Sequence, residues 1–326
     1  MSTKLFLTNA YGWENCYALR SGSVELIATA DVGPRIVYFG LAGGKNLFKL
    51  FHDQIGRTGD GEYLFYGGHR VWAAPEDLVY TYIPDNDPVG VSIDDSVGSL
   101  KLTRPADASN LERSLILRVA SDNCDSERFI EKSSESGFGL LGSYVVRNEI
   151  VNRGNQPVKT ASWAISSFIP GGVGFMPLNP LTSPAKRLQA QFSINLWPYS
   201  WLNNPSYQWK EEWLEIDQRL TNRKEKIGSW NQLSWLAYRL GDLMIVIQVL
   251  ESQKEQCEYP DLGSNLEIYF DPIMLELESL SAWQTLLPGE SVFHDEVLSL
   301  IKLKGNPDNE TAIRDYVYPM FKDTGE

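Results

Sequence analysis

Glu276 and Glu278 stand two residues apart in the run Glu267-Ile-Tyr-Phe-Asp-Pro-Ile-Met-Leu-Glu-Leu-Glu-Ser-Leu. In a strand, side chains alternate between faces, so these two carboxylates share one face and Leu275 and Leu277 take the other. Carboxyl groups held close raise one another's proton affinity, and a glutamate shielded from water serves as a general base near neutral pH. Taken alone, the pair fits the solvated outer face of a sheet equally well. The block Gly67-Gly-His-Arg-Val-Trp-Ala-Ala-Pro-Glu76 collects an imidazole (His69), a bidentate cation (Arg70), an indole (Trp72) and a carboxylate (Glu76) behind two glycines that permit a sharp turn. It reads as a loop. Histidine occurs only at positions 52, 69 and 294, so any histidine acid–base step falls to one of these, and His69 has the most polar company.

Two further groups of residues suit a polyhydroxyl ligand. Asp85-Asn-Asp87 offers oxygens that could hydrogen-bond hydroxyl groups or hold a hard cation, although it lacks the extended spacing of a calcium loop; a plain Asx turn explains it as well. Four of the ten tryptophans lie between Trp197 and Trp213, together with Tyr199 and Tyr207. Pro198, Asn203, Asn204 and Pro205 break that stretch into irregular loop, where Trp197, Tyr199 and Trp201 can present flat apolar faces to a sugar ring. Gly137-Phe-Gly-Leu-Leu-Gly142 spells a dinucleotide-binding fingerprint, but polar loop precedes it and an alternating strand follows, where a strand and a helix are required. No cofactor is expected.

The elements that must position these residues are strands. Val24–Thr29, Ser114–Val119, Ser143–Val151, Asn265–Phe270 and Val292–Leu303 are short, rich in β-branched and aromatic residues, and bounded by turn formers. Two hairpins are expected, one from Val151 through Arg153-Gly154 to Thr160, the other turning at Gly241-Asp242 between Leu240 and Leu243. One short helix is expected near Asn309 to Tyr316. With no repeat, low-complexity run or linker, residues 1–326 read as one long antiparallel β domain of two packed sheets. A formal charge of −13 disfavours a nucleic-acid partner, whose phosphates need clustered Lys and Arg. The start lacks a signal-peptide core and no apolar run reaches bilayer length, so a cytoplasmic chain without membrane partners is expected. Cys16, Cys124 and Cys257 are far apart and odd in number, and read as reduced thiols.

Asp31-Val-Gly-Pro-Arg35 after the Val24 strand, the Gly67-Gly-His-Arg-Val-Trp block, and Leu275-Glu-Leu-Glu-Ser-Leu followed by Leu287-Pro-Gly-Glu-Ser together resemble the galactose mutarotase-like (aldose 1-epimerase) superfamily, as a divergent branch. The likeness spans roughly residues 20 to 303. It implies an all-β supersandwich with a concave carbohydrate-binding face. It also implies an aldose or sugar-phosphate 1-epimerase activity in which a glutamate takes the anomeric proton and a histidine protonates the ring oxygen. By motif position the base is Glu278, with Glu276 beside it, and Arg70 binds hydroxyls or a phosphate. The stretch matching the family's histidine strand reads Thr160-Ala-Ser-Trp-Ala-Ile, with Trp163 in the histidine's place. Either His69 then supplies the acid from another strand, or the fold binds carbohydrate without turning it over.

Overall fold

Strand-forming runs pair into two antiparallel sheets in the computed structural model, which describes residues 4–59, 61–120, 139–179, 188, 190, 192–250, 257–318 and 321. From edge to edge the first sheet runs β1 (Lys4–Ala10), β2 (Trp13–Ser21), β3 (Val24–Thr29), β4 (Arg35–Leu41), β5 (His69–Ala74), β10 (Val158–Phe168), β19 (Met274–Leu280), β18 (Leu266–Asp271), β15 (Glu225–Ser229) and β12 (Asn195–Leu196), with β20 (Gln284–Leu286) beside β10. The second runs β13 (Tyr207–Trp209), β14 (Trp213–Asp217), β11 (Val173–Pro177), β16 (Trp235–Leu240), β17 (Leu243–Val249), β21 (Ser291–Lys302), β9 (Gly139–Asn152), β8 (Leu111–Val119), β7 (Ser99–Arg104) and β6 (Gly90–Asp94).

The sheets bury their facing sides in one core, where Leu26, Phe39, Leu275 and Leu277 of the first meet Leu115, Val146, Leu298 and Leu300 of the second. Tyr144 of β9 also ties them by hydrogen bonds. Its hydroxyl lies 3.0 and 2.7 Å from the carbonyls of Leu19 and Val24, and the amide of Ser21 donates to it at 3.1 Å. The other side of the first sheet carries its own apolar cluster, formed by Trp72, Ala74, Ala161, Trp163, Ile165 and Leu280. A sheet face directed away from the main core is normally solvated; here loops cover it.

The turn at Gly241-Asp242 closes a hairpin as expected, with Leu240 opposite Leu243 and Gly241 at φ +63°. The other expected hairpin does not form. β9 pairs with β8 and β21 in the second sheet, whereas β10 pairs with β5, β19 and β20 in the first, so residues 153–157 cross between sheets. Turn chemistry reverses a chain whether or not the flanking strands pair, and here the two strands pair in different sheets. The helix near residue 309 is present as Asn309–Thr311 continuing into a π-helical turn to Val317, capped by Asp308, whose carboxylate accepts from the Thr311 amide at 2.8 Å. Gly139 and Gly142 of the dinucleotide-like spelling lie inside β9, with no helix following; Gly137 falls outside the described residues, as does Cys124. Among the described residues no helix is long and apolar enough to cross a membrane.

Candidate functional site

Strand register decides which side chains share the outer face of the first sheet. Arg35 on β4 lies opposite Arg70 on β5, Arg70 opposite Ile165 on β10, Ile165 opposite Glu278 on β19, and Glu278 opposite Glu267 on β18. One row further along the strands, Ser167, Glu276, Tyr269 and Lys226 follow one another across β10, β19, β18 and β15, while Trp72 and Trp163 pair on the other side. Directly opposed residues point the same way, so Glu267, Glu276 and Glu278 are brought together with Arg70, Trp72 and Trp163.

The glutamates are tightly held. Trp163 Nε1 donates to Glu278 Oε2 at 2.7 Å, and the Lys226 ammonium donates to the same oxygen at 2.9 Å. Lys226 also pairs with Glu267 Oε2 at 2.7 Å and sits over two indoles, 4.7 Å from the Trp163 ring and 4.5 Å from that of Trp197. Burial raises the proton affinity of both Glu267 and Glu278, and Lys226 offsets only part of that rise. Burial works against the charge on Lys226, but the two carboxylates outweigh it and hold the ammonium protonated.

A second cluster surrounds Arg70. Its guanidinium lies between the rings of Phe65 (4.1 Å) and Trp72 (4.5 Å) and reaches Glu276 Oε1 at 3.4 Å and Ser167 Oγ at 3.2 Å. Ser167 in turn donates to the same glutamate oxygen at 2.5 Å. Beside it Arg35 pairs with Asp85 at 2.8 Å. The hydroxyl of Tyr63, buried close to these charges and without a hydrogen-bond partner, has its pKa pushed up to about 12 by burial. Tyr63, Trp72 and Tyr82 meet edge to face or tilted, and Tyr82 donates to Glu76.

Several expected site residues occupy other places. His69 does not reach the glutamates. The block read as a loop is strand from His69 onward, so His69 and Arg70 point to opposite faces. The His69 ring lies between the sheets, 2.8 Å from Ser166 Oγ and 3.0 Å from Asn148 Oδ1, and burial lowers its pKa to about 3. His294 is likewise buried between the sheets and His52 is exposed on a turn, so no histidine stands on the outer face. Asp87 is exposed and Asp85 is committed to Arg35, which leaves no oxygen cage at Asp85-Asn86-Asp87; among the described residues no three His, Cys, Asp or Glu side chains converge as a metal site. In the aromatic stretch, Trp197 covers Lys226, half-buried Tyr199 lies near Lys226, Glu267 and Glu278, and Trp201 is 59% exposed under Arg223 at 4.2 Å. Tyr207 and Trp213 belong to the cores. The residues that sequence reasoning missed are Lys226, Arg35 and Tyr63; the alternation in Glu225-Lys-Ile-Gly-Ser, which places Lys226 opposite Ile227, was the available signal for the first.

No protein-family model matches the chain, and no curated protein matches it in sequence. Solved structures do resemble it. A candidate aldose 1-epimerase from Klebsiella pneumoniae subsp. pneumoniae aligns over 98% of this chain and 88% of its own at 11% identity, with a TM-score of 0.55. A candidate mutarotase from Salmonella typhimurium aligns over 92% and 97% at 10% identity, TM-score 0.53. A galactose mutarotase-like protein from Lactobacillus casei aligns over 92% and 100% at 10% identity, TM-score 0.51. At such identities the likeness is one of fold.

Proposed function

Because the chain has the galactose mutarotase-like fold, we propose that the outer face of its first sheet binds a neutral saccharide and that Glu278 takes the proton of the anomeric hydroxyl, the chemistry of an aldose 1-epimerase. The observation that carries this reading is the state of Glu278. Oε2 is fixed by Trp163 and Lys226, while Oε1 accepts no hydrogen bond from the described residues and remains the basic oxygen, in a setting where burial already raises proton affinity. Indole and phenol rings of Trp72, Trp197 and Tyr199 around it suit the C–H surface of a sugar ring. A neutral sugar fits better than a sugar phosphate, because each cation of the floor already carries a carboxylate: Arg35 has Asp85, Arg70 has Glu276, and Lys226 has two. Arg70 is thereby reassigned from phosphate anchor to the partner that holds Glu276.

Exchange between anomers, followed by NMR over a panel of aldoses and their phosphates, tests the proposal alongside calorimetric titration. Acceleration over buffer for a neutral aldose is expected, falling by about 10²- to 10⁴-fold in Glu278→Gln; neither acceleration nor binding for any sugar overturns it. A second reading, carbohydrate binding without turnover, is favoured by the indole of Trp163 at the place where the resemblance puts the catalytic histidine. Binding heat with no exchange would establish that reading.

A further inference from the structure

We propose that Lys226 is the proton donor to the sugar's ring oxygen, acting with Glu278 as a bifunctional proton-exchange pair at the anomeric carbon. This rests on the reading of the outer face as a sugar site. Opening a cyclic aldose requires one group to remove the proton from the hydroxyl on the anomeric carbon and another to deliver a proton to the ring oxygen on that same carbon. Acceptor and donor must therefore stand side by side. Lys226 Nζ and Glu278 Oε2 are 2.9 Å apart. An ammonium has three N–H donors; two are used on Glu267 and Glu278, and the third bonds to no other described residue. Glu278 has the matching acceptor in Oε1, since Trp163 and Lys226 both bond Oε2. One donor and one acceptor without a bond to any other described residue thus remain on neighbouring buried groups, with the indoles of Trp163 and Trp197 against the ammonium.

The step balances without a cofactor. Glu278 takes the hydroxyl proton, and the O–H electron pair forms the carbonyl of the open-chain aldehyde. The bond from the anomeric carbon to the ring oxygen breaks towards oxygen, which takes a proton from Lys226. A carboxylic acid and a neutral amine remain; burial works against both charged forms, and protonation of Glu278 removes one of the two carboxylates that hold the ammonium charged. After rotation about the bond between the first two carbons, the amine takes back the proton, the ring closes on the other carbonyl face, and Glu278 returns its proton to the carbonyl oxygen.

Lys226→Arg is the decisive variant, because a guanidinium keeps the charge and the pairing with both glutamates but does not deprotonate in a protein. Anomer exchange should fall by about 10²-fold or more, while the calorimetric dissociation constant for the same sugar and the melting temperature stay near those of the parent. Lys226→Met, which leaves two glutamates unpaired, is compared only if its circular dichroism matches the parent. Exchange at the parental rate in Lys226→Arg overturns the assignment and leaves the sugar site standing. Sugar binding by the parent with no exchange overturns it too. Failure of the parent to bind any sugar removes the site reading itself.

Discussion

Trp163 directs its indole N–H to Glu278 and its ring to the ammonium of Lys226, so a single residue fixes both partners of the proposed proton pair. Replacing it by phenylalanine keeps most of the packing against Trp72 and removes one hydrogen bond to a buried acceptor. A loss of about 1.5–3 kcal/mol is expected, read as a lower urea midpoint with an unchanged slope; an unchanged midpoint would mean that the bond contributes nothing. At this scale Glu276 and Glu278 were legible, because leucines flank them and period two separates the sets. His69 was misplaced for want of the same rule. Two adjacent residues of one strand cannot both face a ligand, and reading Gly67 to Glu76 as a loop hid that constraint. For Lys226 alternation gives only the face, away from Ile227; its company, Glu267 and Glu278, was illegible because it comes from strands 40 and more residues further along the chain.

Strand β5 depends on the turn that feeds it. Gly67 and Gly68 adopt φ of +89° and +77°, and a Cβ on Gly68 would stand 2.1 Å from the carbonyl oxygen of Ile36. Gly68→Ala therefore meets both backbone strain and a clash with a neighbouring strand, and should cost several kcal/mol. Thermal melting checks this; a melting temperature within a degree or two of the parent would show that β4 and β5 can separate without penalty. The glycines were correctly expected to turn the chain sharply, but the consequence for register, with His69 inward and Arg70 outward, comes from pairing with β4 and β10. The same limit explains the missing hairpin at residues 153–157: a turn is local, whereas the choice of sheet is decided by neighbours such as β5 and β21, distant in sequence.

Across the molecule, the space between the sheets holds a polar chain as well as apolar packing. His69 contacts Asn148, which donates to Glu296; Ser279 donates to Glu296 at 2.6 Å and lies 2.8 Å from the ring of His294. Burial pushes the Glu296 carboxyl up to about 7 and lowers His294 to about 4 and His69 to about 3. The signs differ. A raised folded pKa means that the Glu296 contribution is fully present below about pH 4.5 and lost as pH rises through 7. The lowered histidines contribute above about pH 6.5, and that contribution is lost as pH falls towards 4 and 3. Glu296→Gln should consequently gain on the parent as pH increases from 4.5 to 7, by up to about 1.4 kcal/mol per pH unit. Melting temperatures of both proteins across that range decide it, and a constant difference would mean that Glu296 does not titrate there. Tyr144 gives a second test of sheet-to-sheet packing: Tyr144→Phe leaves the carbonyls of Leu19 and Val24 and the amide of Ser21 without their shared hydroxyl, and should lower stability by about 1–3 kcal/mol in a denaturant melt. The two-sheet architecture was legible from strand periodicity alone; this polar chain was not, since its members come from β5, β9, β19 and β21.

The position of Lys226 between two indoles has a practical use. Charged groups a few ångströms from an indole shift its emission, and Trp163 and Trp197 both stand within 5 Å of this ammonium. Any ligand that draws Lys226 away from Glu278, or screens it, changes the light emitted by those two rings. The protein thus carries an unlabelled optical reporter at the proposed site, suited to screening saccharides by titration before any activity is assayed.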